Sequence, residues 1–343
     1  MTPPCRRFAP WAAGPALGLT PLAASAAPMS YLTGYGAKAY PVTNLTWGLL
    51  VISIVVVVIV TILLVWGVLA RRSRSAFGGF GAEPVEHRGD GLRWITVGLA
   101  VSSVALVASL IWTVAVLAKV NQPSNAAPFT IEVTGEQWWW NIRYLGAEPA
   151  RVFSTANELH VPVGVPVKIR LRSDDVIHSF WIPALAGKTD TIPGQTNVTW
   201  IEADRPGRYL GQCTEYCGLQ HSHMGLELVA DPPAAFEAWW ARQLQAAAPP
   251  NAADASRGEV LFVQRCGACH TVRGTGAGGT VAPDLTHLMD RRTLAAGAAP
   301  NTVAGLSGWI ANPQGVKPGT KMPTLYLSGA DLGDVRAFLE TLK

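Results

Sequence analysis

Two runs without a single charged residue, Leu45–Ala70 of 26 residues and Trp94–Ala118 of 25, constrain this chain more than any other feature. Each is longer than the roughly 20 residues an α-helix needs to cross a hydrocarbon core. The β-branched stretch Ile54–Val60 is a poor helix former in water. In lipid the helix is favoured all the same, because it keeps every backbone hydrogen bond internal. Arg71, Arg72, Arg74, Arg88 and Arg93 lie between the runs, and an arginine-rich loop of this kind stays on the cytoplasmic side. Two crossings then return the chain, so everything after Lys119 is expected outside the cytoplasm.

Upstream, residues 1–27 read as a secretory signal: Arg6 and Arg7, a largely apolar Ala9 to Leu22, and small residues Ala24 to Ala27 for cleavage. Downstream, from Phe129 to Asp231, the pattern becomes short runs (FTIEVTG, VPVKIRLRS, VTWIEAD, GLELVAD) punctuated by Gly and Pro, as in a small β-sandwich or barrel. QLQAAAPPNAADA then reads as a linker following the helix-like FEAWWARQL. The expected organisation is a signal over 1–27 and a two-helix transmembrane hairpin over 40–119, with spans about 45–70 and 94–118. An all-β domain over 120–240, a linker over 241–255 and a helical domain over 256–343 follow.

The chemistry sits in two cassettes. In GQCTEYCGLQHSHM, Cys213 and Cys217 are followed by His221 and Met224 in one loop between apparent strands. Soft thiolates with imidazole and thioether favour copper over zinc, whose sites rarely recruit methionine. His178, in DVIHSFWIP, supplies a second imidazole. His223 competes with His221, but the spacing favours His221. Two thiolates bridging two coppers would share one electron hole over both ions, which suits a relay. In CGACH, Cys266 and Cys269 have the spacing for thioether attachment of haem c, with His270 beside them as iron ligand. Met322, in the loop GTKMP, is the expected sixth ligand, and a Met/His pair raises the iron's potential. Met289 is its competitor, but DLTHLMDRRT reads as a helix with that methionine packed inside. His287 is read as a non-ligand, His160 and His87 as surface residues, and Asp190 as a loop hydrogen-bonder. Cys5 falls in the signal, so no cysteine remains for a disulfide framework.

Residues 120–232 resemble the copper-A domain of cytochrome c oxidase subunit II through EQWWW (136–140), DVIHSFWIP (175–183), KTDTIPG (188–194) and the cysteine loop. Residues 254–343 resemble a class I cytochrome c domain, and subunit II chains with this fusion form a subgroup of the haem–copper oxidase family. The resemblance implies a cupredoxin sandwich and then an all-α cytochrome c domain, behind the membrane hairpin. It implies a dinuclear copper-A centre held by His178, Cys213, Cys217, His221, Met224 and the backbone carbonyl of Glu215. It also implies covalent haem c, a magnesium ion shared with subunit I through Glu215, and a role for Trp138 in receiving electrons. The expected partners are subunit I and the other oxidase subunits, membrane lipid, and a soluble cytochrome c or other donor. The location implied is the bacterial inner membrane with both redox domains on the periplasmic side. In one respect the chain departs from the pattern. The family commonly places a carboxylate three residues before the tryptophan opening the second span; here that position is Gly91, with Asp90 and Glu86 upstream.

The net charge of +4 is unevenly spread. Residues 120–253 carry 9 basic and 13 acidic side chains, and 254–343 carry 9 and 7. A basic haem segment facing an acidic copper segment is expected to assist docking, weakly and in a salt-dependent way. Nothing in the pattern resembles a nucleic-acid-binding surface. The alternative reading is the same relay attached to another terminal reductase, such as a nitric oxide reductase.

Overall fold

The computed structural model describes residues 29–74, 91–123 and 125–343. The signal over 1–27 and the residues Glu86, His87, Arg88 and Asp90 lie outside the described residues. Helix α1 spans Ala39–Arg74 and α2 spans Gly91–Asn121. Each encloses one uncharged run, and both are long and apolar enough to cross a membrane. Most of their described apolar side chains are exposed, as lipid-facing surfaces are, while Trp112 packs on Gly48 and Val116 is buried. The start of α1 and the end of α2 are both tied to the domain that follows. The Tyr35 N–H, just before α1, donates to the Ala184 carbonyl at 2.8 Å. The Trp200 indole donates to the Val120 carbonyl at 2.9 Å, at the end of α2.

Ten strands follow: β1 (Thr130–Glu136), β2 (Trp139–Leu145), β3 (Val152–Ala156), β4 (Glu158–Pro162), β5 (Val167–Ser173), β6 (His178–Trp181), β7 (Thr189–Thr191), β8 (Asn197–Ile201), β9 (Gly207–Cys213) and β10 (Gly225–Asp231). They form two five-stranded sheets, ordered β3-β2-β1-β5-β8 and β4-β10-β9-β6-β7. Alternate residues of β1, Ile131 and Val133, are buried completely, as the two-residue period of a half-buried strand requires. The two sheets enclose one core with Trp140, Tyr144, Phe180 and Leu171 at its centre. The result is the cupredoxin-like sandwich. Helix α3 (Pro233–Gln243) closes one end, stacking Phe236, Trp239 and Trp240 against Phe129, Tyr144 and Phe153.

The C-terminal domain is helical, built from α4 (Ala253–Arg265), α5 (Val303–Ala311), a short α6 (Pro313–Val316) and α7 (Gly329–Leu339). Helices α4 and α7 cross at Gly258, where a β-carbon would come within 1.9 Å of the Asp334 carbonyl oxygen. Only glycine permits that approach. Phe262 and Phe338 pack beside the crossing, and the Arg257 guanidinium binds both carboxylate oxygens of Asp334 at 2.8 Å.

Two expectations change, and the linker is held more closely than its composition suggests. The stretch DLTHLMDRRT is not a helix; only Leu288–Asp290 makes a 3-10 turn. Asp284 accepts from the Thr286 N–H at 2.8 Å and from its hydroxyl at 2.6 Å, and this local bonding competes with helix formation. The segment between α3 and α4 is fastened down rather than free. Arg273 donates to the carbonyls of Gln243 and Leu244, at 2.6 and 3.2 Å, and the Ala247 N–H donates back to the Arg273 carbonyl at 2.8 Å. Its alanines and prolines offer no side-chain anchor, so the bonds come from its backbone.

His160 is not a surface residue. It stacks on Trp239 at 4.1 Å and lies between Asp231, at 2.6 Å, and Glu158, at 3.3 Å. Burial opposes its protonation, but the two carboxylates outweigh burial and raise its pKa above the ordinary 6.5. Removing it leaves the buried Glu158 and the part-buried Asp231 without their shared partner, so His160→Ala is expected to destabilise the sandwich by about 3 kcal/mol near pH 6. Because the folded pKa is raised, the contribution is complete below 6.5 and fades as pH rises through the folded value. Urea denaturation at about pH 6 and about pH 9 checks this: the gap between wild type and variant should shrink with rising pH, and a widening gap would refute the account.

Candidate metal centre and haem pocket

The metal centre is assembled by three neighbouring strands of one sheet. Strands β9 and β10 pair antiparallel with Gln212 opposite Gly225, and the Cys213 N–H donates to the Met224 carbonyl at 3.0 Å. This ladder closes the loop Thr214–Met224 at its base. Strand β6 pairs with β9 on the other side, Phe180 opposite Cys213, and the Thr214 N–H donates to Ser179. His178, two residues from that pair, is thereby brought to the loop from 35 positions upstream. Within the loop, a 3-10 turn over His221–His223 directs His221 inward, and Gln212 holds the His221 carbonyl at 3.0 Å.

The side chains converge on one buried point. The sulfurs of Cys213 and Cys217 stand 3.8 Å apart and unbonded. Nδ1 of His178 lies 4.0 Å from the Cys213 sulfur, and Nδ1 of His221 lies 3.5 Å from the Cys217 sulfur. The Met224 sulfur is 3.8 Å from Cys217, and the Glu215 carbonyl oxygen is 3.3 Å from Cys213. All six predicted ligands therefore sit together. The ligand atoms of His178, Cys213 and Cys217 lie within 4.8 Å of one another, close enough to hold a metal ion. The hydrogen bond between the two thiols makes Cys213 the more acidic and, together with burial, pushes Cys217 up. Two sulfurs sharing one proton in this way are poised to share a cation instead.

Sequence reasoning did not single out the residues that orient this set. Asp175 accepts from His178 Nε2 at 2.8 Å, which turns Nδ1 towards the sulfurs. Against the opposing effect of burial, His178 and the N–H groups of Gln137 and Val176 hold Asp175 at a pKa of about 2. The imidazole of His178 rests on Gly135, where a β-carbon would lie 2.6 Å from Cδ2. His223, the rival ligand, instead bonds Gln220 through Nδ1 at 2.7 Å. Asp190 accepts from the Ser179 hydroxyl at 2.7 Å. The Glu215 carboxylate points outward, half-exposed, with Lys188 at 3.6 Å.

A second cavity lies alongside, lined by Cys266, Cys269, His270 and Met322 together with apolar Leu306 and Ile310. His270 donates from Nδ1 to the Pro283 carbonyl at 2.8 Å, which leaves Nε2 free for a metal in the cavity. Gln314 holds the carbonyls of Thr320 and Met322, at 2.8 and 2.9 Å, and so fixes the methionine loop. The donor set and the apolar walls fit haem c. Met289 packs against the domain core instead, and His287 bonds two backbone carbonyls, of Lys343 at 2.8 Å and Gln245 at 3.1 Å.

The same cavity is also walled by Gln137, Trp138 and Trp139 from the sandwich. Trp138 is only 8% exposed, and its indole N–H donates to the Cys217 carbonyl at 3.0 Å. Its six-membered ring points at Gly319, where a β-carbon would lie 3.5 Å from Cη2. One side chain therefore touches both the cysteine loop and the methionine loop.

The comparisons with known proteins agree with this division. Residues 145–230 match the family model for the periplasmic domain of cytochrome c oxidase subunit II, and residues 255–343 match that for cytochrome c. Cytochrome c oxidase subunit 2 of Alkalihalophilus pseudofirmus is 37% identical over 215 residues, covering 62% of this chain and 61% of the relative. That of Bacillus sp. strain PS3 is 33% identical over 226 residues, covering 62% of each. The chain thus matches about three fifths of the length of these two relatives. The periplasmic domain of subunit II of the Bradyrhizobium japonicum cytochrome oxidase is 31% identical, covering 35% of this chain and 96% of that one at a TM-score of 0.32. Residues 145–230 are thus similar to a subunit II periplasmic domain and residues 255–343 to a cytochrome c domain, and such domains imply copper and haem as bound groups.

Overpacking a core position by one methyl costs about 1–3 kcal/mol, and at Gly135 the displaced group would be the His178 imidazole. Gly135→Ala is therefore expected to lower copper content severalfold while haem content stays at one per chain. Metal analysis beside the haem absorbance reads both, and full copper loading would exclude the packing role.

Proposed function

We propose that the chain is the electron-receiving subunit of a haem–copper oxidase, passing electrons from a cytochrome c or similar donor to subunit I, where oxygen is reduced to water with proton translocation. The observation that carries this reading is Trp138, bonded to Cys217 and exposed to the haem cavity at once. In this reading His178, Cys213, Cys217, His221, Met224 and the Glu215 carbonyl hold a dinuclear copper-A centre, and Cys266, Cys269, His270 and Met322 hold covalent haem c. When bound, the two groups supply one-electron redox chemistry, tuned by soft sulfur ligands on both.

The protein's own part is to orient ligands and keep water out. Asp175 fixes the His178 ring, Pro283 fixes His270, and Gln314 fixes the Met322 loop. Cys213, Cys217, Met224 and His178 are buried, and such a setting favours a carrier whose surroundings do not rearrange at each transfer. The Glu215 carboxylate, outward and beside Lys188, is left for a magnesium ion shared with subunit I. The domain boundaries given above and the periplasmic placement of both redox domains belong to the same proposal, with the hairpin of α1 and α2 embedded in lipid beside the other subunits. KTDTIPG and EQWWW favour the oxidase over a nitric oxide reductase as the parent complex.

Optical and EPR spectra of the metal-loaded chain test the reading. A mixed-valence near-infrared copper band is expected together with haem c bands. Cys217→Ser should abolish the copper band and leave the haem bands unchanged, and a persisting copper spectrum would refute the ligand assignment.

A further inference from the structure

Lys317 is buried, 2% exposed, in the loop that leads from α6 to the methionine. Its ammonium donates to the carbonyls of Trp138 at 2.6 Å, His223 at 2.8 Å and Ala295 at 2.9 Å. These acceptors belong to three separate segments, and two of them lie on the copper domain. Burial lowers the pKa of this group to about 7; in its ammonium form, with three N–H donors and no acceptor, every donor is satisfied here, and only while the two domains are docked. Around it, Gln220 of the copper loop donates to the Pro318 carbonyl at 2.8 Å, and the Arg292 N–H donates to Glu158 at 3.2 Å. Gly319, two residues beyond Lys317, faces the Trp138 ring.

We propose that Lys317 is a positioning residue: a buried latch that fastens the haem domain onto the copper domain and sets the contact between the methionine loop and Trp138. The lysine grips the main chain of Trp138 while the side chain of that residue is held by Cys217, so the indole is fixed from both ends. A guanidinium is planar and larger, and does not replace a compact three-donor cation among carbonyls. The functional consequence, though not the latch itself, rests on the electron-relay reading.

Two measurements on the full-length, metal-loaded chain test this. In Lys317→Met, electron transfer from photoreduced haem c to copper should slow at least about tenfold, the factor that losing one hydrogen bond to a charged donor gives in the docked population. Reduction of haem c by ascorbate and both optical signatures should be unchanged. An unaltered transfer rate with both signatures present would overturn the latch. In the wild-type chain, acetylation read by mass spectrometry should modify Lys317 at least about tenfold more slowly than Lys321, whose side chain is 59% exposed. Equal rates would overturn the latch whatever metals are bound, and this measurement decides the matter if the methionine variant fails to fold. Absence of the copper or haem signature from wild type would count against the relay reading alone.

Discussion

The hydrogen bond from the Trp138 indole to the Cys217 carbonyl is the contact around which the two redox sites are arranged. It ties the turn between β1 and β2 to the cysteine loop, and it presents the other edge of the ring to the haem cavity. The neighbouring backbone is committed in the same direction. The Gln137 N–H goes to Asp175, which orients His178, and the Gln137 side chain donates to the same Cys217 carbonyl at 2.7 Å. A displacement of this turn would move His178, one wall of the second cavity and the contact between them together. The sandwich makes such a displacement costly, because Trp140, two residues on, is fully buried and packs edge-on against His178 and Phe180.

What could be read from the sequence was what local rules determine. Charge-free runs of 25 residues or more permit little besides membrane helices, and CxxCH or CxxxC with downstream His and Met carry their chemistry in their own spacing. His178 was legible because a histidine at the end of a strand-like run had a nearby cassette that needed an imidazole. The residues that went unread act across long separations. Asp175 is three residues from His178, yet its value lies in also holding Gln137; Lys317 acts on a carbonyl 179 positions away. His160 looked like a surface histidine since nothing near it in sequence reveals that Asp231 and Trp239 fold over it. Backbone carbonyls, the acceptors Lys317 uses, have no sequence signature at all.

The segment joining the domains changes how the fusion works. An Ala/Pro-rich stretch suggests a flexible tether that raises the local concentration of one domain near the other. Here Arg273 and His287 grip its carbonyls from the haem domain, so much of its length is surface of that domain rather than free chain. A tether of this kind restricts the approach to few orientations. Together with Lys317 it holds the two domains against each other.

The charges at the domain contact divide the work by position. Lys321 approaches Asp175 at 3.4 Å and Arg292 approaches Glu227 at 3.8 Å, each cation well exposed and each acid largely buried. Both cations come from the haem domain and both acids from the copper domain, so the opposite balances of the two segments meet at this rim. Exposed pairs contribute about 0–1 kcal/mol each and weaken as salt rises. Lys317 lies inside the rim, where ions of the medium do not reach it. Raising the salt concentration would therefore weaken the rim and leave the centre in place, as in other interfaces where a buried anchor is ringed by contacts that mainly exclude water. Through that exclusion the rim keeps Trp138 dry, and the medium between the cysteine loop and the second cavity remains protein rather than solvent.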